Sequence, residues 1–220
     1  MSSNFSRRLF LSRALIAVPA AGTFLLGCRT ARGEAMAGDA STTDAACANG
    51  VATAPNIEGP YYRPDAPFRS DLVDPGVVGA PLLLRGTVLS LDCRSPIAGA
   101  VLDVWQANGD GHYDNDGSLR LPEGAMRLRG KLRTDAKGAF MARSVLPGRY
   151  LNGRRYRPAH IHVKVSAPGH APLTTQLYFP DDPYNDGDPF IHRSLIVDLS
   201  RVRGDAAARF DFVLTPLPKG

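Results

Sequence analysis

The sequence predicts an all-β fold: a β-sandwich of two mostly antiparallel sheets, with long loops carrying the functional residues. Short runs rich in β-branched and aromatic residues recur at fairly regular spacing, and Gly- and Pro-containing turns separate them. No stretch beyond residue 50 has the periodicity of a long amphipathic helix. That pattern belongs to sandwiches and barrels.

The chain opens on Ser6-Arg7-Arg8-Leu9-Phe10-Leu11 and an apolar run, Ala14–Leu26. This looks like a twin-arginine export signal, with Ser12 where a lysine is common, and Pro19 and Gly22 interrupt the run too early for a membrane span. Leu25-Leu26-Gly27-Cys28 resembles a bacterial lipobox, so a lipid on Cys28 is expected, with the mature chain in the periplasm or cell envelope. An ordinary signal with an incidental cysteine is the plainer reading. Residues 1–27 are therefore taken as a signal, 28–50 as a flexible Ala/Gly/Ser/Thr-rich spacer, and 51–220 as the folded domain. In an oxidising compartment Cys47 and Cys93 are expected to pair, tying the start of the domain to its first hairpin.

The formal charge of +5 does not signal a nucleic-acid binder. Arg7, Arg8 and Arg13 lie in the acid-free leader; without them 23 basic side chains face 21 acidic ones, a net of +2 (26 − 3 − 21). No clustered basic face interleaved with aromatics remains.

Within the domain, Glu58-Gly59-Pro60-Tyr61-Tyr62-Arg63-Pro64 reads as an ordered loop that covers something. Tyr62 is assigned to substrate binding, although a tyrosine in such a loop more often simply packs on the core. The strand runs are Leu82–Leu91, Ala100–Trp105, Gly138–Val145, Ala159–Ala167, Leu173–Phe179, Ser194–Leu199 and Phe210–Thr215. Asn108-Gly109-Asp110-Gly111, Pro147-Gly148 and Pro183-Tyr184-Asn185-Asp186-Gly187 supply turns between them.

The most informative run follows Arg157-Pro158. Pro158 suits the start of a strand, and beyond it Ile161, Val163 and Val165 alternate with His160, His162 and Lys164. Both imidazoles then leave one face together, a usual beginning for a transition-metal site. Taken alone, His-x-His also fits zinc enzymes and cupin-type proteins. A cupin would place a glutamate soon after, and Val163–Ala167 contains no acid. Tyr113, across a Gly/Asp/Asn loop from Val101–Trp105, and Tyr150, at the end of Leu146-Pro147-Gly148-Arg149, are placed to reach the same edge. Two phenolates beside two imidazoles would select ferric iron over zinc, since phenolate is a hard, charged oxygen donor.

Several motifs then fall in a shared order: Trp105-Gln106-Ala107-Asn108, Gly111-His112-Tyr113, Arg129-Gly130 with Thr134-Asp135, Pro147-Gly148-Arg149-Tyr150, Arg157-Pro158-Ala159-His160-Ile161-His162, and Leu173-Thr174-Thr175-Gln176-Leu177-Tyr178-Phe179. Together, over roughly residues 55 to 215, they resemble the intradiol ring-cleavage dioxygenases, with the closer likeness to protocatechuate 3,4-dioxygenase and its exported relatives. The resemblance implies a non-haem Fe(III) held by Tyr113, Tyr150, His160 and His162, with Tyr150 and His160 axial. It implies that Tyr150 doubles as a base, that Arg157 is the active-site arginine, and that Gln176 lines the cavity. A catechol-type ring would be opened between its hydroxyl-bearing carbons by O2 to a cis,cis-muconate-type diacid. One departure stands out: between Tyr150 and His160 the chain is short and carries Asn152, Gly153, Arg154, Arg155 and Tyr156, where the protocatechuate enzymes have more residues, including a tryptophan wall. Pocket shape, ring substituent and oligomeric state stay open, a lone chain and a homo-oligomer both being compatible with a complete ligand set. Two rivals also stand: an exported β-sandwich binding lipoprotein without turnover, and a zinc or copper protein using only His160 and His162. His112, His170 and His192, and the acidic stretch Asp181–Asp188, read as surface features.

Overall fold

A computed structural model of the chain describes residues 50–218. The expected leader, Cys28 and Cys47 lie outside the described residues. Eleven strands are described: β1 (Pro81–Ser90), β2 (Val101–Gln106), β3 (Arg129–Arg133), β4 (Ala139–Val145), β5 (Tyr150–Asn152), β6 (Arg155–Arg157), β7 (His160–Ser166), β8 (Leu173–Tyr178), β9 (Asp198–Val202), β10 (Asp205–Arg209) and β11 (Phe212–Leu214). One sheet has the order β3-β2-β7-β8 and is antiparallel throughout. In the other, β1 pairs antiparallel with β4 and parallel with β10 and β11, and β9 lies beyond β10. β5 and β6 form a separate hairpin.

The main core is built by period-two alternation. Leu82, Leu84 and Val88 of β1, Leu102 and Val104 of β2, Ile161, Val163 and Val165 of β7, and Leu177 of β8 belong to one buried cluster. Successive side chains leave a strand on opposite faces, so the residues between these in β2, β7 and β8 share the other face of the four-stranded sheet. The register sets Trp105 opposite His162, His162 opposite Gln176, and His160 opposite Tyr178. The functional residues therefore stand on the outward face of this sheet and not at a sandwich edge, which is where the sequence placed them. A second, smaller cluster there contains Trp105, Ala107, Tyr113 and Tyr150, with Tyr61 and Tyr62 packed against it.

The segment before β1 straps the two sheets. Thr53 N–H donates to Val213 O, Asn56 N–H to Thr174 O, and Phe68 and Asp71 bridge to Lys131 and Arg143. These contacts occupy backbone groups along the exposed edges of the sheets.

Four elements differ from expectation. Ser194–Leu199 is not one strand: Arg193–Leu195 forms a 3-10 turn, and β9 begins at Asp198. β3, Arg-Gly-Lys-Leu-Arg, has one large core-facing residue, Leu132, and so shows little apolar alternation. β10, Asp-Ala-Ala-Ala-Arg, is alanine-rich and becomes a strand because β1 and β9 flank it. The β5–β6 hairpin is too short and polar to show a period.

Candidate metal centre

β7 presents His160 and His162 side by side, their Nε2 atoms 3.1 Å apart. His160 Nδ1 lies 2.7 Å from Pro158 O. A carbonyl can only accept, so the His160 proton sits on Nδ1 and Nε2 is left as a lone pair. Burial, with Arg157 nearby, lowers the His160 pKa to about 4. Burial, followed by the charge of His160, drives that of His162 well below its ordinary value. Both imidazoles are thus neutral donors. The Trp105 ring lies flat against His162, centroids 4.7 Å apart and planes 7° from parallel, and fixes its orientation.

Two phenols close on this pair. The Tyr113 and Tyr150 rings meet edge to face at 5.6 Å; Tyr113 is 6.2 Å from His162, and Tyr150 is 5.6 Å from His160. The loop carrying Tyr113 is held from several sides. Asn108 Oδ1 accepts from the backbone N–H groups of Asp110 and His112, and Asp116 accepts from that of Tyr113. Gly111, at φ +86°, runs so close to the Arg149 carbonyl that an added Cβ would sit 2.1 Å from its oxygen. Only glycine allows both that conformation and that approach, which brings the two tyrosine segments together. Beside Tyr113, the buried carboxylate of Asp114 receives both Arg129 and Arg63, joining β3 and the 57–63 loop to the same point.

The Tyr113 hydroxyl is buried and has no hydrogen-bond partner. Burial, then the Tyr150 charge, raises its pKa well above the usual phenol value. A phenol oxygen left in that condition, near two imidazoles whose Nε2 atoms face each other at 3.1 Å, fits a bound cation, which would stabilise the phenolate and take a lone pair from each ring. Among the described residues no three His, Cys, Asp or Glu side chains gather, so the groups joining the imidazoles are phenols. The donor set accordingly suits a hard, high-valent ion.

Arg157 begins the same stretch of chain and is buried. Nε donates to Asp188 Oδ2 at 2.7 Å; Nη2 donates to Gln176 Oε1 at 2.9 Å and to the Tyr178 hydroxyl at 3.0 Å. Nη1 is buried and unpartnered. Gln176 is fully buried and links Arg157 to the covering loop by donating to Ile57 O. Asp188, read from sequence as part of a solvated turn, is a buried anchor that also accepts the Phe190 N–H, while Asp182 accepts from Arg149 and from the Ala159 N–H.

The 57–63 loop does cover the site. Gly59, at φ +73°, lies over His162, where an added Cβ would be 3.1 Å from Cε1. Glu58 pairs with Lys164 on β7. Tyr61, which the sequence reading left as core packing, stacks on Tyr113 at 4.3 Å and meets the edge of Tyr150. Tyr62, assigned to substrate binding, packs on Trp105 and donates to Asp103, with Lys164 over its ring. Cys93 is disulfide-bonded. His112 and His192 meet the nearby Asp116 and Ser194, His170 bonds Pro168 and the distant Ser90, and none of the three enters the cluster. Asp188, Tyr178, Asp114 and Tyr61 carried no local sequence signal; each acts through a partner distant in the chain.

Two outcomes follow from this geometry. Asp188→Asn keeps the shape but leaves the buried Arg157 without its anion, and chemical denaturation should show a loss of about 3 kcal/mol. In the metal-free chain, the His160 pKa falls from 6.5 unfolded to about 4 folded, so the unfolded state protonates first. Stability present above pH 6.5 should then decline as pH falls towards 4. Melting curves across that range should show the decline; His160→Gln should lessen it, and removing His162 as well should flatten it.

A family described as Dioxygenase matches residues 57–216. The chain is 33% identical to the intradiol ring-cleavage dioxygenase prcA of Aspergillus niger, over 74% of this chain and 58% of that protein. It is 35% identical to the 6-chlorohydroxyquinol 1,2-dioxygenase of Cupriavidus pinatubonensis, over 74% of this chain and 65% of that one. The chain thus spans less than two thirds of the length of these curated relatives. Among solved structures, the dioxygenase domain of a dioxygenase carbohydrate-binding protein fusion from Streptomyces sp. SirexAA-E superposes with a TM-score of 0.65 at 38% identity, covering 76% of this chain and 99% of that one. Catechol 1,2-dioxygenase from Pseudomonas arvilla C-1 gives 0.68 at 32% identity, covering 76% and 63%. These matches include enzymes named for catechol and chlorohydroxyquinol, so likeness within the family is not confined to the protocatechuate enzymes expected from the motifs. With the family match running through both the histidine strand and the tyrosine loops, the chain belongs to the intradiol ring-cleavage dioxygenase family.

Proposed function

We propose that this chain is an intradiol dioxygenase that opens a catechol-type ring between its two hydroxyl-bearing carbons, both atoms of O2 entering a cis,cis-muconate-type diacid. The observation that carries the reading is the convergence of two neutral imidazoles with a buried, unpartnered phenol and a second phenol beside it. A zinc or copper site using the histidines alone would leave the Tyr113 oxygen unexplained. The relatives' names supply the substrate class.

The family is one of non-haem Fe(III) enzymes, and Tyr113, Tyr150, His160 and His162 would hold the ion here. Bound there, ferric iron would supply a Lewis-acidic, redox-capable centre that makes a catecholate reactive towards O2. The protein's own groups divide the remaining work. Tyr150, 7% exposed against 1% for Tyr113, is the more accessible phenol, and its oxygen is the acceptor for a catechol hydroxyl proton. Arg157 Nη1, the nitrogen of that guanidinium left without a partner, offers N–H groups to negative charge that develops as the ring opens. In a buried site such a donor acts strongly, because little solvent screens it. Tyr61 and Gly59 keep water from the metal face.

The same proposal extends to location. Export through a twin-arginine leader, with a lipid on Cys28, rests on residues 6–11 and 25–28 alone.

The iron-loaded chain should show a broad tyrosinate-to-iron band in the visible that shifts when catechol is added without oxygen. Tyr113→Phe and Tyr150→Phe should each alter the band and lower oxygen uptake with catechol by at least about 100-fold. A colourless iron-loaded protein would refute the reading.

A further inference from the structure

The face of the β5–β6 hairpin that enters the site continues beyond it. Tyr150 pairs with Arg157 and Asn152 with Arg155, and opposed residues of an antiparallel pair point to the same side. All four side chains therefore share one face. The inner pair is buried in the candidate centre; the outer pair lines a cavity of about 490 Å³, together with Arg154, Tyr156, Tyr184 and Phe190. Arg157 and Asp188 form its inner wall, and the Arg157 guanidinium lies over the Phe190 ring at 4.9 Å. The cavity thus starts where the site ends.

Its charge is unbalanced. Asp182 and Asp188, the buried carboxylates of the neighbouring loop, are already paired with Arg149 and Arg157. Among the described residues no carboxylate pairs with Arg154 or Arg155, and both are exposed. Aromatic surface stands beside them, with Tyr156 50% exposed and Phe190 38%. Flat apolar walls with two unmatched guanidinium groups suit a planar ligand ending in a carboxylate.

We propose that this cavity is a subsite for the side arm of the substrate, and that the chain takes catechols bearing a planar, conjugated arm that ends in a carboxylate. The inference rests on the dioxygenase reading and deepens it. With the diol at Tyr150 and Arg157, the arm runs outward along the hairpin face and its carboxylate meets Arg155 and Arg154. Arg155 lies two residues beyond Arg157, about 7 Å along the strand. A three-carbon arm carries its carboxylate farther out along this face than one attached directly to the ring.

The test compares kcat/KM of the iron-loaded chain for catechol, 3,4-dihydroxybenzoate and 3,4-dihydroxycinnamate, in the wild type, in Arg154→Ala/Arg155→Ala and in Arg155→Lys. The cinnamate should be preferred over both others by at least about tenfold, mainly through KM. The double alanine variant should lose that ratio, and the lysine variant should keep part of it. Cinnamate itself, which has no hydroxyls, should bind the full chain in equilibrium dialysis, and more weakly to the double variant. Catechol opened with no preference for the arm, or a preference that survives the double variant, would overturn the subsite and leave the dioxygenase reading intact. Failure to open any of the three diols would remove both.

Discussion

Two imidazole nitrogens held 3.1 Å apart on one face of β7 are the constraint around which the structure is arranged. Lone pairs buried that close without a shared proton or cation repel each other, and burial also denies them water. The strand can impose this because its opposite face is locked in the main core by Ile161, Val163 and Val165. A shift of one residue would exchange the faces, putting histidines in the core and isoleucine and valine at the site. Register on β2 and β8 is therefore also register of the site: it sets Trp105 against His162 and places Gln176 and Tyr178 beneath Arg157.

The phenols and the covering loop come from outside the four-stranded sheet, and buried charges help to fix them. Asp114 gathers Arg129 and Arg63 next to Tyr113, and Asp188 holds Arg157 next to the hairpin that carries Tyr150. Such pairs add little net stability when formed, because desolvation opposes attraction, yet breaking one strands a buried charge. That asymmetry makes them suited to fixing loop positions. It also explains why Arg157 retains one unpartnered nitrogen: its other donors are used to hold the guanidinium still.

The sequence made the sheet legible where alternation was strong. His160 and His162 could be placed on one face from Ile161, Val163 and Val165 alone. Tyr113 and Tyr150 carry no periodic signal; their places after turns singled them out, and the order of motifs joined them to the histidines. β3 and β10 escaped because charge and alanine mask strand character that comes from their neighbours. Asp188 and Asp114 escaped for a different reason: in sequence they are loop acids, and their burial depends on arginines from distant segments. Tyr61 and Tyr62 are adjacent, so which of them faces the phenols depends on the path of the loop over Gly59, which no local pattern reveals.

The central claim is that Tyr113, Tyr150, His160 and His162 together bind one ferric ion. Anomalous diffraction at the iron edge, from crystals of the iron-loaded protein, tests it most directly. The account predicts a single strong peak within bonding distance of both phenol oxygens and both Nε2 atoms. A peak touching only the two histidines, or iron bound elsewhere in the chain, would contradict it.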